Sequence, residues 1–335
     1  MSTAFVIGSG GWGTALGIVL SRSFERVLLF EHDPAYAAEV EKLRENIHYL
    51  KGVALPSNLH FQSGPEGLAG AELILIVPPS QYLRSAVAGL IGLAKPGALC
   101  VVATKGIEQG SLMTMSQVVA DEVRKLGRPA LRLVTLSGPS HAEEVGRGLP
   151  TTVVAAADKL ADALECQKHF NGPNFRVYTG EDHLGVELGG SLKNVIALAA
   201  GIADGLGLGD NAKAAIMTRG LAEITRLGAA LGAKPATFAG LTGMGDLVVT
   251  CMSRHSRNRS VGERLGKGES WADIEKSMKM VAEGVPTAAS ARELAKKYHV
   301  EMPLCEAVQQ VLFEGKAASL ALKELMAREP KGENA

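Results

Sequence analysis

The chain has 335 residues, 46% of them hydrophobic, with 35 Lys plus Arg balanced by 35 Asp plus Glu. That length exceeds what one hydrophobic core usually serves, so two domains are expected. Zero net charge leaves no bulk field to draw the protein to nucleic acid or to an anionic membrane.

The first feature in chain order is a stretch without charge between Met1 and Arg22. It lacks the basic start of a signal peptide, and Gly8, Gly10, Gly11, Gly13 and Gly17 interrupt the continuous apolar run that a membrane span needs. It reads instead as strand, turn and helix. No other segment reads as a bilayer span, so a protein free of the membrane is expected.

Short apolar runs follow at Ala4 to Ile7, Val27 to Phe30, Leu73 to Val77, Leu99 to Ala103, Leu133 to Leu136, Thr152 to Ala155 and Phe175 to Tyr178. Helical patterns such as Ala35 to Glu45 and Leu112 to Lys125 fall between them, the alternation expected of a parallel sheet covered on both faces. From about Glu187 onward Ala, Leu, Glu and Lys recur with helical periodicity. A long helix is predicted over Ala212 to Leu231. Ser270-Trp271-Ala272-Asp273 resembles a capping box opening a helix to about Met280, and Pro303 is placed to start another. The fold class is α/β: an N-terminal Rossmann-like doubly wound sheet over 1–183, followed by an all-α domain over 184–335. The charged tail Arg328 to Ala335 is expected to fray. Cys100, Cys166, Cys251 and Cys305 are widely spaced, which argues against a metal site or disulfide framework and fits a reducing cytoplasm.

Gly8-Ser9-Gly10-Gly11-Trp12-Gly13 follows a strand and opens a helix, the context of a dinucleotide-binding turn. In such a turn Gly8 permits the sharp bend, Gly10 lets a pyrophosphate approach the backbone, and Gly13 lets helix and strand pack closely. About twenty residues later comes Glu31-His32-Asp33, where such folds contact the adenosine ribose. Glu31 can accept from the ribose hydroxyls and repel a 2′-phosphate, favouring NAD over NADP. A partly protonated His32 pulls the other way. Asp33 before Pro34 also has the form of a helix cap.

Further strands end at Val77-Pro78-Pro79-Ser80, at Ala103-Thr104-Lys105-Gly106 and at Leu136-Ser137-Gly138-Pro139-Ser140-His141; in an open parallel sheet these ends share the ligand edge, which brings Lys105 to it. Lys193, within Gly189-Gly190-Ser191-Leu192-Lys193-Asn194, has Gly189, Gly190, Ile196 and Ala197 as helical neighbours. An ammonium on so small and apolar a face loses water, and its pKa falls toward the range of proton exchange. The alternative is a surface lysine beside a packing glycine pair. The run Thr250-Cys251-Met252-Ser253-Arg254-His255-Ser256-Arg257-Asn258-Arg259-Ser260 supplies forked donors and hydroxyls of the kind that grip phosphate or carboxylate. Without aromatics it makes a poor nucleic-acid patch.

Taken together, the motifs resemble the bacterial NAD(P)-dependent glycerol-3-phosphate dehydrogenase family over nearly the whole chain. Those named above occur in the family's order, joined by Arg219-Gly220-Leu221-Ala222-Glu223 and Val281-Ala282-Glu283-Gly284. The resemblance implies reversible transfer of hydride between dihydroxyacetone phosphate and sn-glycerol 3-phosphate, with NAD or NADP as cofactor, for glycerophospholipid synthesis. It makes Lys193 the general acid/base and puts Lys105 near both ligands. Gly138, Ser140, Asp246, Ser256, Arg257 and Asn258 would line the substrate site with these lysines. Gly11, Trp12, His32, Ala142, Arg257, Val281 and Glu283 would contact the cofactor. A cytoplasmic homodimer joined through the helical half is expected. Glu31 stands where many members carry a small residue, and Gly11 replaces a more usual serine or alanine. The rival readings are a β-hydroxyacid or sugar-phosphate dehydrogenase, disfavoured by the Ser256-Arg257-Asn258 loop, and a non-catalytic NAD(P)-binding redox sensor, disfavoured by the two intact lysines.

Overall fold

The computed structural model describes residues 2–278, 280–330 and 332–333. Eight strands form one sheet: β1 (Thr3–Ile7), β2 (Arg26–Phe30), β3 (Leu59–Gln62), β4 (Leu73–Ile76), β5 (Leu99–Val102), β6 (Arg132–Ser137), β7 (Thr151–Ala156) and β8 (Phe175–Gly180). Their order is β3-β2-β1-β4-β5-β6-β7-β8. The first six are mutually parallel in the Rossmann arrangement. Strand alternation divides their side chains between two cores. Phe5, Ile7, Leu28, Ile74, Ile76, Cys100 and Val102 face one layer of helices. Ala4, Val6, Val27, Leu29, Leu75 and Val101 face the other. Each large side chain so enclosed contributes about 1.5–3 kcal/mol.

Two features depart from the sequence reading. β3 went unforeseen because only Leu59 and Phe61 of its four residues are buried, too few to set up a recognisable period. The sheet is also not parallel throughout: β7 runs antiparallel to β6, and β8 is parallel to β7. The connection between β6 and β7 holds only the five-residue helix Ala142–Gly146, so the chain folds back at the end of β6 instead of crossing over. Gly138 makes that reversal at φ +145°, where an added Cβ would stand 2.9 Å from Val153 Cα.

After β8, Asp182 caps the helix His183–Gly205 by accepting from the Gly185 amide at 3.0 Å. This helix is long and apolar enough to cross a membrane, contrary to the expectation that no segment was. It is enclosed along its length by protein and serves as a core helix. Further helices surround it, including Gly209–Ala230, Arg257–Gly266, Gly284–Lys297, Pro303–Phe313 and Ala318–Met326, and no strand follows β8 among the described residues. The crossing with Arg257–Gly266 is made backbone on backbone. A Cβ on Gly201 or Gly205 would collide with the carbonyls of Arg259 and Glu263, and one on Gly262 or Gly266 with those of Leu198 and Ile202.

Two predicted caps are present. Asp33 accepts from the Ala35 and Tyr36 amides ahead of Pro34–Leu43. Ser270 accepts from the Asp273 amide, although its helix closes at Ser277 and not near Met280. Of the tail expected to fray, Lys331, Asn334 and Ala335 lie outside the described residues, while the Glu333 carbonyl accepts from Arg219 at 2.8 Å. All four cysteines are buried and free.

Candidate active site

The carboxyl ends of β1, β4, β5 and β6 lie along one edge of the sheet, and the predicted site residues gather there. After β1 the chain turns at Gly8, φ +113°, so close to β4 that a Cβ would lie 2.7 Å from the Pro78 nitrogen. A Cβ on Gly13 would strike the Gly8 carbonyl, whereas one on Gly10 would meet nothing within 4 Å. The open surface of the turn is therefore at Gly10. No side chain caps the helix Gly11–Leu20, so its first amides remain directed at that opening. A bare helix start beside a glycine turn fits a dinucleotide pyrophosphate. Trp12 and Ala142 pack beside this turn. Gly11 has a packing reason absent from the sequence reading, since a Cβ there would stand 2.5 Å from the Tyr49 carbonyl.

The turn is held from behind by a buried polar network. Asn46 donates to the Ser9 carbonyl at 2.8 Å and to Thr14 Oγ1 at 2.7 Å, and its own oxygen accepts from Tyr36 Oη at 2.6 Å. Ser9 Oγ donates to Glu31, whose other oxygen accepts from the Asp33 amide at 2.9 Å. Glu31 is thus 3% exposed and already engaged. His32, almost fully exposed, places Nδ1 2.8 Å from the same carboxylate.

Two lysines from different parts of the chain meet on one carboxylate. Lys193 Nζ donates to Asp246 Oδ1 at 2.7 Å and to Thr250 Oγ1. Lys105 Nζ donates to Asp246 Oδ2 at 2.7 Å and to the Gly138 carbonyl at 3.0 Å, which also accepts from Ser140 Oγ at 2.9 Å. Lys193 and Asp246 are 6% and 1% exposed. Burial pushes the Lys193 ammonium down to about 8, with Asp246 resisting and Lys105 adding to the fall. Burial would raise the Asp246 carboxyl, but the two lysines outweigh it and hold it below its usual value. The predicted packing of Gly189 and Gly190 is also present. A Cβ on Gly190 would stand 2.5 Å from Ser137 Oγ, and one on Gly189 3.1 Å from the Thr242 carbonyl.

Ser256 caps Arg257–Gly266 by accepting from the Arg259 amide at 3.2 Å. Asn258 points inward, donating to Asn194 Oδ1 at 2.9 Å and accepting from the Gly284 amide at 2.8 Å, so it joins this loop to the residue after Lys193. Arg257 is exposed, donates to the Val281 carbonyl at 2.6 Å, and borders a cleft of about 190 Å³ shared with Arg254, His255 and Arg264. Glu283 accepts from the Ser80 amide at 2.9 Å and from Ser80 Oγ, tying the helical half to the loop after β4. Burial raises the Glu283 carboxyl above its usual range.

The structure thus groups Lys105, Gly138, Ser140, Lys193 and Asp246 in one centre, and links Arg257, Asn258, Val281 and Glu283 beside it. Sequence reasoning did not assign Thr250, Ser80, Asn194 or Asn46. Thr250 stands four residues after Asp246 on one helix face, and that spacing could have revealed it. Ser80 and Asn194 stand within the strand-end and lysine motifs but had no role there, and Asn46 has no short-range signal. Among the described residues no group of three or more His, Cys, Asp or Glu side chains is placed to hold a metal ion.

The chain is similar to known proteins along nearly its whole length. Residues 3–163 match the family described as NAD-dependent glycerol-3-phosphate dehydrogenase N-terminus, and residues 182–323 match its C-terminus. Glycerol-3-phosphate dehydrogenase [NAD(P)+] of Geobacter metallireducens is 51% identical over 98% of both chains, and that of Chlorobium phaeobacteroides is 50% identical over 98% of both. The crystal structure of glycerol-3-phosphate dehydrogenase from Coxiella burnetii superposes with a TM-score of 0.92 at 36% identity, covering 98% of this chain and 99% of that one.

Proposed function

The chain belongs to the NAD-dependent glycerol-3-phosphate dehydrogenase family, and we infer that its two-lysine centre carries the reversible NAD(P)-dependent reduction of dihydroxyacetone phosphate to sn-glycerol 3-phosphate. The observation that carries the assignment of roles is Asp246, which accepts from Lys193 on one oxygen and Lys105 on the other.

NAD or NADP, when bound, supplies or accepts the hydride. Gly8, Gly10, Gly11, Trp12, Gly13 and Ala142 form its cradle, with Glu31 and His32 at the ribose end and Val281 and Glu283 toward the helical half. In the reducing direction negative charge grows on the oxygen at carbon 2. Lys193, brought close to neutrality in its proton affinity by burial, delivers a proton to that oxygen. Lys105 stabilises the same charge from the sheet edge, and Asp246 keeps both ammonium groups aimed at one point. Gly138 and Ser140 border that point. Arg257 grips the phosphate, helped by Ser256 at the helix start, while Asn258 holds the loop in register with Lys193. In the oxidising direction neutral Lys193 takes the hydroxyl proton.

The division at 183/184 then separates a cofactor unit from a catalytic unit, with substrate between them. Buried Glu31 favours NAD indirectly, by placing negative charge behind the ribose end. The product is an ester-ready backbone for glycerophospholipids, made in the cytoplasm by a homodimer joined through the helical half. The test is loss of absorbance at about 340 nm with dihydroxyacetone phosphate and NADH or NADPH in turn. Faster loss with NADH is expected. Loss with neither would overturn the assignment, and equal loss with both would remove Glu31 as selector.

A further inference from the structure

His141 is not accounted for by this division of roles. It follows Ser140 and precedes Ala142, whose Cβ lies 3.6 Å from a Cβ built on Gly11, so it sits between the cofactor turn and the lysine centre. Its ring faces that of His255, from the Arg257 loop, at 5.8 Å between centroids. Its Nε2 is buried and has no hydrogen-bond partner in the protein. A buried polar atom without a partner costs about 1–3 kcal/mol, a cost that the chain could avoid with an apolar side chain of similar size.

The surroundings define what would satisfy it. Burial and the nearby ammonium groups of Lys193 and Lys105 lower the His141 pKa, with Glu143 and Glu144 opposing, so the imidazole is neutral at pH 7. A neutral ring placed near Lys193 and Lys105 and against His255 of the Arg257 loop adds one directed hydrogen bond to an anionic, oxygen-rich molecule without adding charge.

We propose that His141 is a substrate-binding residue, its Nε2 hydrogen-bonding an oxygen of the phosphorylated triose between the lysine centre and the Arg257 loop. The proposal rests on the reading of this centre as the triose phosphate site, which turnover by the unaltered enzyme tests separately. Losing one such bond weakens binding about tenfold. The experiment compares the unaltered enzyme with His141→Phe, which keeps ring volume, and His141→Gln, which returns an amide near the place of Nε2. His141→Phe is expected to raise KM for dihydroxyacetone phosphate about tenfold, with KM for NADH and the thermal midpoint little changed, and His141→Gln to recover most of the loss. An unchanged substrate KM in His141→Phe overturns the proposal, as does equal damage to cofactor KM or failure of His141→Gln to recover. Should His141→Phe not fold, His141→Gln and His141→Ala are compared by the same ratio of substrate to cofactor KM.

Discussion

At the turn after β1 the chain makes a site by removing side chains, whereas around Lys193 it makes one by crowding charged side chains together. Gly8 and Gly13 are needed because backbone lies where a Cβ would be, and Gly10 leaves the surface open. Lys193, Lys105, Asp246 and Thr250 instead fill a nearly waterless space and satisfy one another. The first arrangement offers a ligand only shape and amides that any sequence possesses. The second sets a proton affinity and depends on the identity of every member. Substitutions should therefore act on affinity at the turn and on rate and pH dependence at the lysines.

The sharpest way to break that contrast is Lys193→Ala. Turnover is expected to fall about a thousandfold, with NADH affinity by fluorescence titration within a factor of two. Near-normal turnover would remove Lys193 from its role. Gly262→Val transfers the rule of the turn to the helical half, since its side chain would collide with the Leu198 carbonyl. A loss of about 3 kcal/mol or more in urea unfolding is expected, and an unchanged midpoint would show that the crossing can relax.

Smaller effects sharpen the division. Arg257→Ala should raise KM for dihydroxyacetone phosphate by about two orders of magnitude, the scale of a charged hydrogen bond, and change KM for NADH less; a change in cofactor affinity alone would contradict it. Oxidation of sn-glycerol 3-phosphate needs neutral Lys193, so kcat/KM should rise with pH through about 8 while reduction falls across the same range. Asp246→Asn removes the attraction that keeps the ammonium charged, so in whatever activity remains the midpoint should move below 8; an upward move would assign the titration to another group. The smallest effect is at Glu31→Gln, for which a several-fold gain in the ratio of NADPH to NADH turnover is expected. A fall in both rates without a change in ratio would mean that Glu31 only braces the turn through Ser9 and Asp33.

The same contrast decides what could be read from sequence. Features fixed by neighbours along the chain were legible: the glycine turn, the Asp33 and Ser270 caps, the start at Pro303, and the parallel strands β1, β2, β4, β5 and β6. Lys193 was legible as a lysine on a small apolar face, which burial confirms. What makes it usable was not, because Asp246 and Lys105 reach it from 53 and 88 residues away in the chain. The reversal at β7 was hidden for a related reason. An apolar run has no direction, and only the short β6–β7 connection distinguishes an antiparallel return from another crossover. Glu31 was legible as an acid at the end of β2, but its burial and its tie to Ser9 depend on a fold already formed.

The four glycines at the crossing of His183–Gly205 with Arg257–Gly266 have a mechanical consequence. Side chains can change rotamer and let two helices slip past each other, but here backbone ridges touch, and any slip would drive carbonyls into α-carbons. The spacing from Lys193 to the Arg257 loop is thereby set like the jaws of a fixed gauge.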